Sequence, residues 1–176
     1  SIRYYLCKGF VFGEDGDFNE KALTMRLIKE LADDLGNLVS RTLAMVEKYF
    51  DSKTPEADID GEIVEKLPLK KIEKAIEKCQ FHQALAEIWT FIHEVNKYVN
   101  DNKPWENEKT RAQVLYSTLD ALRIISILIS PFMPETSDRI NERLNIKPGS
   151  WSEIEFGLLP SGRKVNKGRN LFSKIE

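Results

Sequence analysis

Within residues 119–129 of this 176-residue chain, Leu119, Leu122, Ile124, Ile125, Ile127, Leu128 and Ile129 put apolar side chains on nearly every face of a 3.6-residue turn. A helix that is apolar all round has no side to offer water, so other elements must enclose it. The sequence supplies them as further helices. Over residues 19–50 a stripe recurs at helical spacing through Leu23, Leu27, Leu31, Leu35, Leu38, Met45 and Tyr49. Over residues 69–102 the same spacing runs through Ile72, Ile76, Ala84, Ile88, Ile92, Val95 and Val99, as two helices in tandem or one helix bent around Cys79 to Phe81. Ser130-Pro131-Phe132-Met133-Pro134 breaks the apolar helix, and Pro134-Glu135 opens a short one that closes near Leu144-Asn145. Strands do not alternate with helices and no repeat period emerges. The expected fold class is all-α, a bundle of about four to five helices with an extended C-terminal tail.

The connections are read from turn formers. Residues 10–17 mix aromatic residues with glycine and aspartate and predict a loop, after which Asp17 or Asn19 caps the first long helix. Residues 51–60, with Pro55 and several acids, predict a solvated loop before a second helical region opens near Gly61 or Pro68. Asn102-Lys103-Pro104 predicts a tight corner, because the residue before proline disfavours the helical conformation and Pro104 itself suits the first turn of the helix over 105–129. The tail holds Arg163, Lys164, Lys167, Arg169 and Lys174 with no acid among them, either a solvated segment or a stretch able to meet phosphate.

Composition removes several classes of function. A net charge of -2 and a pI near 5.8 exclude a broad cationic surface, so any nucleic-acid contact must be focused. No apolar stretch reads as a bilayer crossing and no basic-then-apolar leader opens the chain, so no membrane partner and a soluble, cytoplasmic protein are expected. Two distant cysteines, Cys7 and Cys79, form neither a disulfide framework nor a zinc spacing. His82 and His93 lie three helical turns apart, too far for a chelate. Asp15, Asp17 and Asn19 imitate the start of a calcium loop, but Glu20 and Arg26 stand where glycine and glutamate are needed, so no metal is expected. The phosphate-cradling, nucleophile-elbow and zinc-hydrolase motifs are all missing, Glu73 and Glu77 alternate with lysines as a solvated face does, and no catalytic residue is expected.

Three polar or aromatic groups stand off the core stripe. On a wheel of about 100° per residue, Asn37 lies about 130° and Arg41 about 90° from the centre of the first long helix's apolar face, on one flank and one turn apart. Amide and guanidinium groups there match base edges and phosphates. Trp105 follows Pro104 at a helix corner, either exposed as a stacking platform for an unpaired base or closing the bundle end. Trp89 belongs to the apolar series, and Trp151 is expected to anchor the tail.

Asp33-Asp34-Leu35-Gly36-Asn37-Leu38-Val39-Ser40-Arg41, preceded by Phe12-Gly13-Glu14-Asp15-Gly16-Asp17-Phe18, resembles the start of the anticodon-binding domain of methionyl-tRNA synthetases. Asn96-Lys97-Tyr98, Lys103-Pro104-Trp105, Leu122-Arg123-Ile124 and Leu128-Ile129-Ser130-Pro131-Phe132-Met133-Pro134-Glu135-Thr136 continue the likeness in the same order. The closing Leu171-Phe172-Ser173-Lys174-Ile175-Glu176 is similar too, although the family usually has proline where Gly168 and Ser173 stand. The resemblance implies that Asn37 and Arg41 hydrogen-bond the anticodon of methionine tRNA and that Trp105 stacks on its first base, the cytosine of CAU. It also implies a division into residues 1–18 following a catalytic fold, a helical anticodon-binding domain over 19–145, and a tail over 146–176 packed on the bundle. His-Ile-Gly-His, Lys-Met-Ser-Lys-Ser and the cysteine pairs of the family's zinc insertion are not in this sequence. The expectation is therefore a C-terminal fragment of a methionine-tRNA ligase, with no cofactor of its own, ATP serving the parent enzyme, and the catalytic domain of the same enzyme as its neighbour. The rivals are the anticodon domain of a synthetase for isoleucine, valine, leucine or cysteine, and a helical protein-interaction module that binds no RNA.

Overall fold

The computed structural model describes residues 2–9 and 27–172. The loop over 10–17, the cap at Asp17 or Asn19, Leu23 and Lys174 lie outside the described residues.

The helix expected around residues 105–129 is α6 (Glu108–Ile129), and every residue from Val114 to Ile129 is buried. Long and apolar enough to cross a membrane by length and composition alone, it corrects the expectation that no such stretch exists. Eighty-nine per cent of its most apolar window is covered by the rest of the protein. Around it stand α1 (Ile2–Gly9), a wide π-type segment (Leu27–Gly36) continuing into α2 (Asn37–Phe50), α3 (Gly61–Glu65), α4 (Leu69–Glu77), α5 (Phe81–Asn102) and α7 (Pro134–Leu144). Each fully buried leucine or isoleucine of this core contributes about 1.5–3 kcal/mol over leaving it in water. Among the described residues the only extended pairing is an isolated bridge, so the all-α expectation holds.

The π-type segment changes which side chains of α2 face inward. Hydrogen bonding from i to i+5 takes more residues per turn than an α-helix, so a wheel drawn at 100° through both stretches loses phase. Leu31 and Leu35 are buried as expected, but in α2 the core face is Leu38, Val39, Leu43 and Val46. Met45 and Tyr49, expected on that stripe, are only half-buried.

Residues 69–102 form two helices, because Cys79 between them adopts a left-handed φ of 54°. Trp89 is structural as expected: it is 2% exposed and its ring centre lies 4.7 Å from that of Tyr4 on α1. Lys103 ends α5 with φ 42°. Pro104 does not begin the next helix. Residues 104–106 form a turn, and Asn107 caps α6 by accepting from the Lys109 amide at 3.2 Å, a better first-turn partner than the ring of a proline.

Residues 51–60 are less solvated than their composition suggests. Thr54 is 2% exposed and exchanges backbone hydrogen bonds with the tail, its amide to the Arg163 carbonyl and its carbonyl from the Gly162 amide, both at 2.8 Å. Backbone groups of an irregular segment must find partners somewhere, and here two irregular segments satisfy each other. The tail lies on the bundle through Leu159, Val165 and Leu171. Trp151 is 37% exposed and holds the tail through Nε1, which donates to Glu73 at 3.2 Å. Gly168 has φ 60°, a conformation closed to proline.

Candidate nucleic-acid interface

The exposed edge where the π-type segment and α2 pass α5 is fixed by two polar pairs. His93 Nε2 lies 2.9 Å from Asp34 Oδ2, and Arg41 Nη2 donates to Asn100 Oδ1 at 2.9 Å. Both pairs join residues 59 apart in sequence, so the two helices run in the same direction and stay in register across two turns. Asn96 adds a third tie, with Nδ2 donating to the Asp34 carbonyl at 3.4 Å. Asn37 sits between the two pins as the first residue of α2, exposed and one turn ahead of Arg41, which is exposed as well. Gly36 lets the tail pass beneath this start: a Cβ there would meet the Leu31 carbonyl oxygen at 3.1 Å and the Phe172 ring at 3.2 Å.

Trp105 completes the edge from the corner after α5. It is 37% exposed, its Nε1 donates to Glu106 at 3.2 Å, and the Arg41 guanidinium carbon is 5.7 Å from its ring centre. That separation is within the range of a cation–π contact. Arg111 props the corner, with Nε donating to the Pro104 carbonyl at 2.6 Å and its guanidinium carbon 4.0 Å from the centre of the Tyr49 ring.

Arg41 and Trp105, chosen from the sequence on separate grounds, are therefore in contact, and Asn37 shares the exposed flank of Arg41. The sequence reading missed Asp34, His93, Asn96, Asn100 and Arg111. A signal existed for part of this: His93, Asn96 and Asn100 recur at the three- and four-residue steps of one helix flank, outside the apolar series. What it could not give is the register of α5 against α2. The edge offers an amide, a guanidinium and an indole side by side, suited to reading base edges and stacking on an unpaired ring. Among the described residues no group of three His, Cys, Asp or Glu is placed to hold a metal ion.

The fold is a helical-bundle domain that carries these groups on one exposed edge. Residues 68–167 match the family model described as the anticodon-binding domain of tRNA ligase, and residues 1–43 match the one described as tRNA synthetases class I (M). The chain belongs to the anticodon-binding domain family of tRNA ligases. It is 41% identical to a methionine-tRNA ligase of Caldanaerobacter subterraneus and 43% identical to one of Clostridium tetani, each alignment covering 100% of this chain and 30% of the relative. The chain thus spans about three-tenths of the length of the curated relatives it matches. The crystal structure of free Mycobacterium tuberculosis methionyl-tRNA synthetase superposes with a TM-score of 0.88 at 29% identity, over 99% of this chain and 38% of that one. The structure of that enzyme bound by methionyl-adenylate gives 0.87 at 30% identity, over 98% and 37%.

Proposed function

We propose that this chain is the part of a methionine-tRNA ligase that recognises the CAU anticodon of methionine tRNA. The observation that carries the reading is the contact of Arg41 with both Trp105 and Asn100 on an edge that also exposes Asn37. In this reading the anticodon bases are splayed from their loop. The first base stacks on the exposed indole of Trp105, worth roughly 1–3 kcal/mol. Asn37 and Arg41 hydrogen-bond the base edges that splaying uncovers. Discrimination follows from the wrong base leaving a desolvated donor or acceptor unpaired, at a cost of about 1–3 kcal/mol.

Residues 1–18 would join the bundle over 19–145 to the catalytic domain of the same enzyme, with the tail over 146–176 packed on the bundle. ATP would be consumed in that catalytic domain, and this part needs no cofactor. Methionine tRNA and the catalytic domain are its partners, in the cytoplasm.

The test is a titration of a CAU anticodon stem-loop into the protein, followed by tryptophan fluorescence, beside a loop whose first anticodon base is replaced. Saturable quenching by the CAU loop, with binding at least tenfold weaker for the other, is expected. Equal binding by both loops removes base readout from this part, so that either the remainder of the enzyme is required or the interaction-module reading gains.

A further inference from the structure

At the far end of α2 from Asn37, the tail and α7 enclose two adjoining concavities that share Glu142 and Asn166. The larger, about 460 Å³, takes in Glu47, Lys164 and Lys167, and the smaller, about 230 Å³, takes in Arg139, Arg143 and Arg169. Asn37 and Glu47 are ten residues apart, about 15 Å along the helix axis. Neither concavity is lined by Asn37, Arg41 or Trp105.

Arg143 is the unusual group in it. The residue is 9% exposed, its Nη2 donates to the Arg169 carbonyl, and its Nη1 is buried without a hydrogen-bond partner. Burial and the neighbouring Arg139 charge both disfavour its protonated form. A guanidinium held this far from water is stabilised by a nearby negative charge. No described carboxylate supplies it: none is within ion-pair distance of Arg139, Arg143 or Arg169, and the nearest in sequence, Asp138 and Glu142, are exposed. Gly168 lines the smaller concavity beside Arg143. A Cβ at that position would lie 3.4 Å from Arg143 Nε, and its φ of 60° suits glycine.

We propose that this groove binds a phosphate group, and that the phosphate belongs to the backbone of the bound tRNA outside the anticodon bases. The inference rests on the RNA-binding reading above. The three arginines that line the smaller concavity, Arg139, Arg143 and Arg169, bring the N–H donors and positive charge that phosphate oxygens accept. Lys164 and Lys167 continue the positive charge along the groove and outnumber Glu47 and Glu142 when the three arginines are counted with them.

The test compares wild type with Arg169→Gln and with Arg139→Gln/Arg169→Gln, all shown to be folded by thermal melts. Binding of a methionine tRNA transcript is measured across salt concentrations, and inorganic phosphate is titrated separately by calorimetry. Each lost phosphate contact should reduce the slope of log K against log salt by roughly 0.7–0.9. Preference for the CAU loop over its altered partner should stay unchanged. An unchanged slope with anticodon preference intact overturns this inference alone. A reduced slope without anticodon preference overturns the CAU reading and leaves the groove as an RNA contact. Inorganic phosphate binding that Arg169→Gln abolishes, with an unaltered RNA slope, makes this a free-anion site and overturns the backbone assignment. Absence of any tRNA binding overturns both.

Discussion

Arg41 Nη2 donates to Asn100 Oδ1 at 2.9 Å while the same guanidinium lies 5.7 Å from the ring centre of Trp105. One side chain from α2 is thus oriented by α5 and by the corner that follows α5. Two neighbours fix it, so it reaches a base without first being ordered, and ordering a long side chain on binding costs about 0.5–1.5 kcal/mol.

Asn100→Ala should therefore weaken binding of the CAU stem-loop by about 0.5–1.5 kcal/mol, the net worth of one hydrogen bond. Both residues are exposed, so thermal stability should move by less than about 0.5 kcal/mol. Arg41→Lys should lose at least as much affinity, since an ammonium replaces the planar group that faces both the amide and the ring. Filter binding of the three proteins checks this, and retention of full affinity by both variants would remove Arg41 from the site.

Trp105→Ala separates recognition from stability. The indole keeps 37% of its surface in water and its nitrogen bonds only the neighbouring Glu106, so little core packing is lost. Loss of one stacked base corresponds to about 1–3 kcal/mol, or roughly 5- to 150-fold in affinity. Stem-loop titration with a urea melt checks it: a melt lowered by more than about 2 kcal/mol with unaltered affinity would make Trp105 a packing residue.

What could be read ahead of the structure follows the physics of each signal. The all-round apolar pattern of α6 admits one solution, and the corner at Asn102-Lys103-Pro104 is dictated by local sterics, so both were legible. Asn37 and Arg41 were placed on an exposed flank correctly, although the wheel behind that placement ran through a π-type segment and misassigned Met45 and Tyr49. Periodicity assumes a constant number of residues per turn, and nothing in Leu27–Gly36 announces the change. The pairings of Asp34 with His93 and Arg41 with Asn100 depend on how two helices slide against each other, which is settled by the whole core. The buried state of Arg143 was equally hidden, because its sequence neighbours look like an ordinary polar surface helix.

Asp120 and Arg123 carry charge into the centre of the molecule. Arg123 Nε donates to Asp120 Oδ1 at 2.6 Å, its Nη1 donates to the Glu153 carbonyl at 2.8 Å, and Nη2 reaches the Glu155 carbonyl, while the other oxygen of Asp120 accepts from the Gly157 amide. The pair thereby ties the tail to α6. Arg123→Ala strands a carboxylate whose side chain is 0% exposed, and breaking such a pair costs about 3–5 kcal/mol. The urea midpoint should fall with little change in slope. A loss under about 1 kcal/mol would mean that water reaches Asp120 once the arginine is gone.

The alkaline limit of stability should be set in part by Tyr98. Burial pushes its phenol far above the ordinary value of 10.0, and the hydroxyl's bond to Asp60 Oδ2 at 2.9 Å raises it further, because the bond is lost and a like charge met on ionisation. Below about pH 10 the tyrosine holds its proton in folded and unfolded chains alike, and its contribution is fully present. As the pH rises past 10 the unfolded chain releases that proton while the folded chain retains it, so stability falls by up to about 1.4 kcal/mol per pH unit from this group. Tyr116, also raised chiefly by burial, acts in the same direction and remains in the variant. Tyr98→Phe should be less stable than wild type at pH 8, having lost the bond to Asp60, and the gap should narrow between pH 10 and 11.5. Urea melts of both proteins across that range check the sign: a gap that widens, or stays constant, would show that Tyr98 ionises in the folded protein as readily as in the unfolded chain.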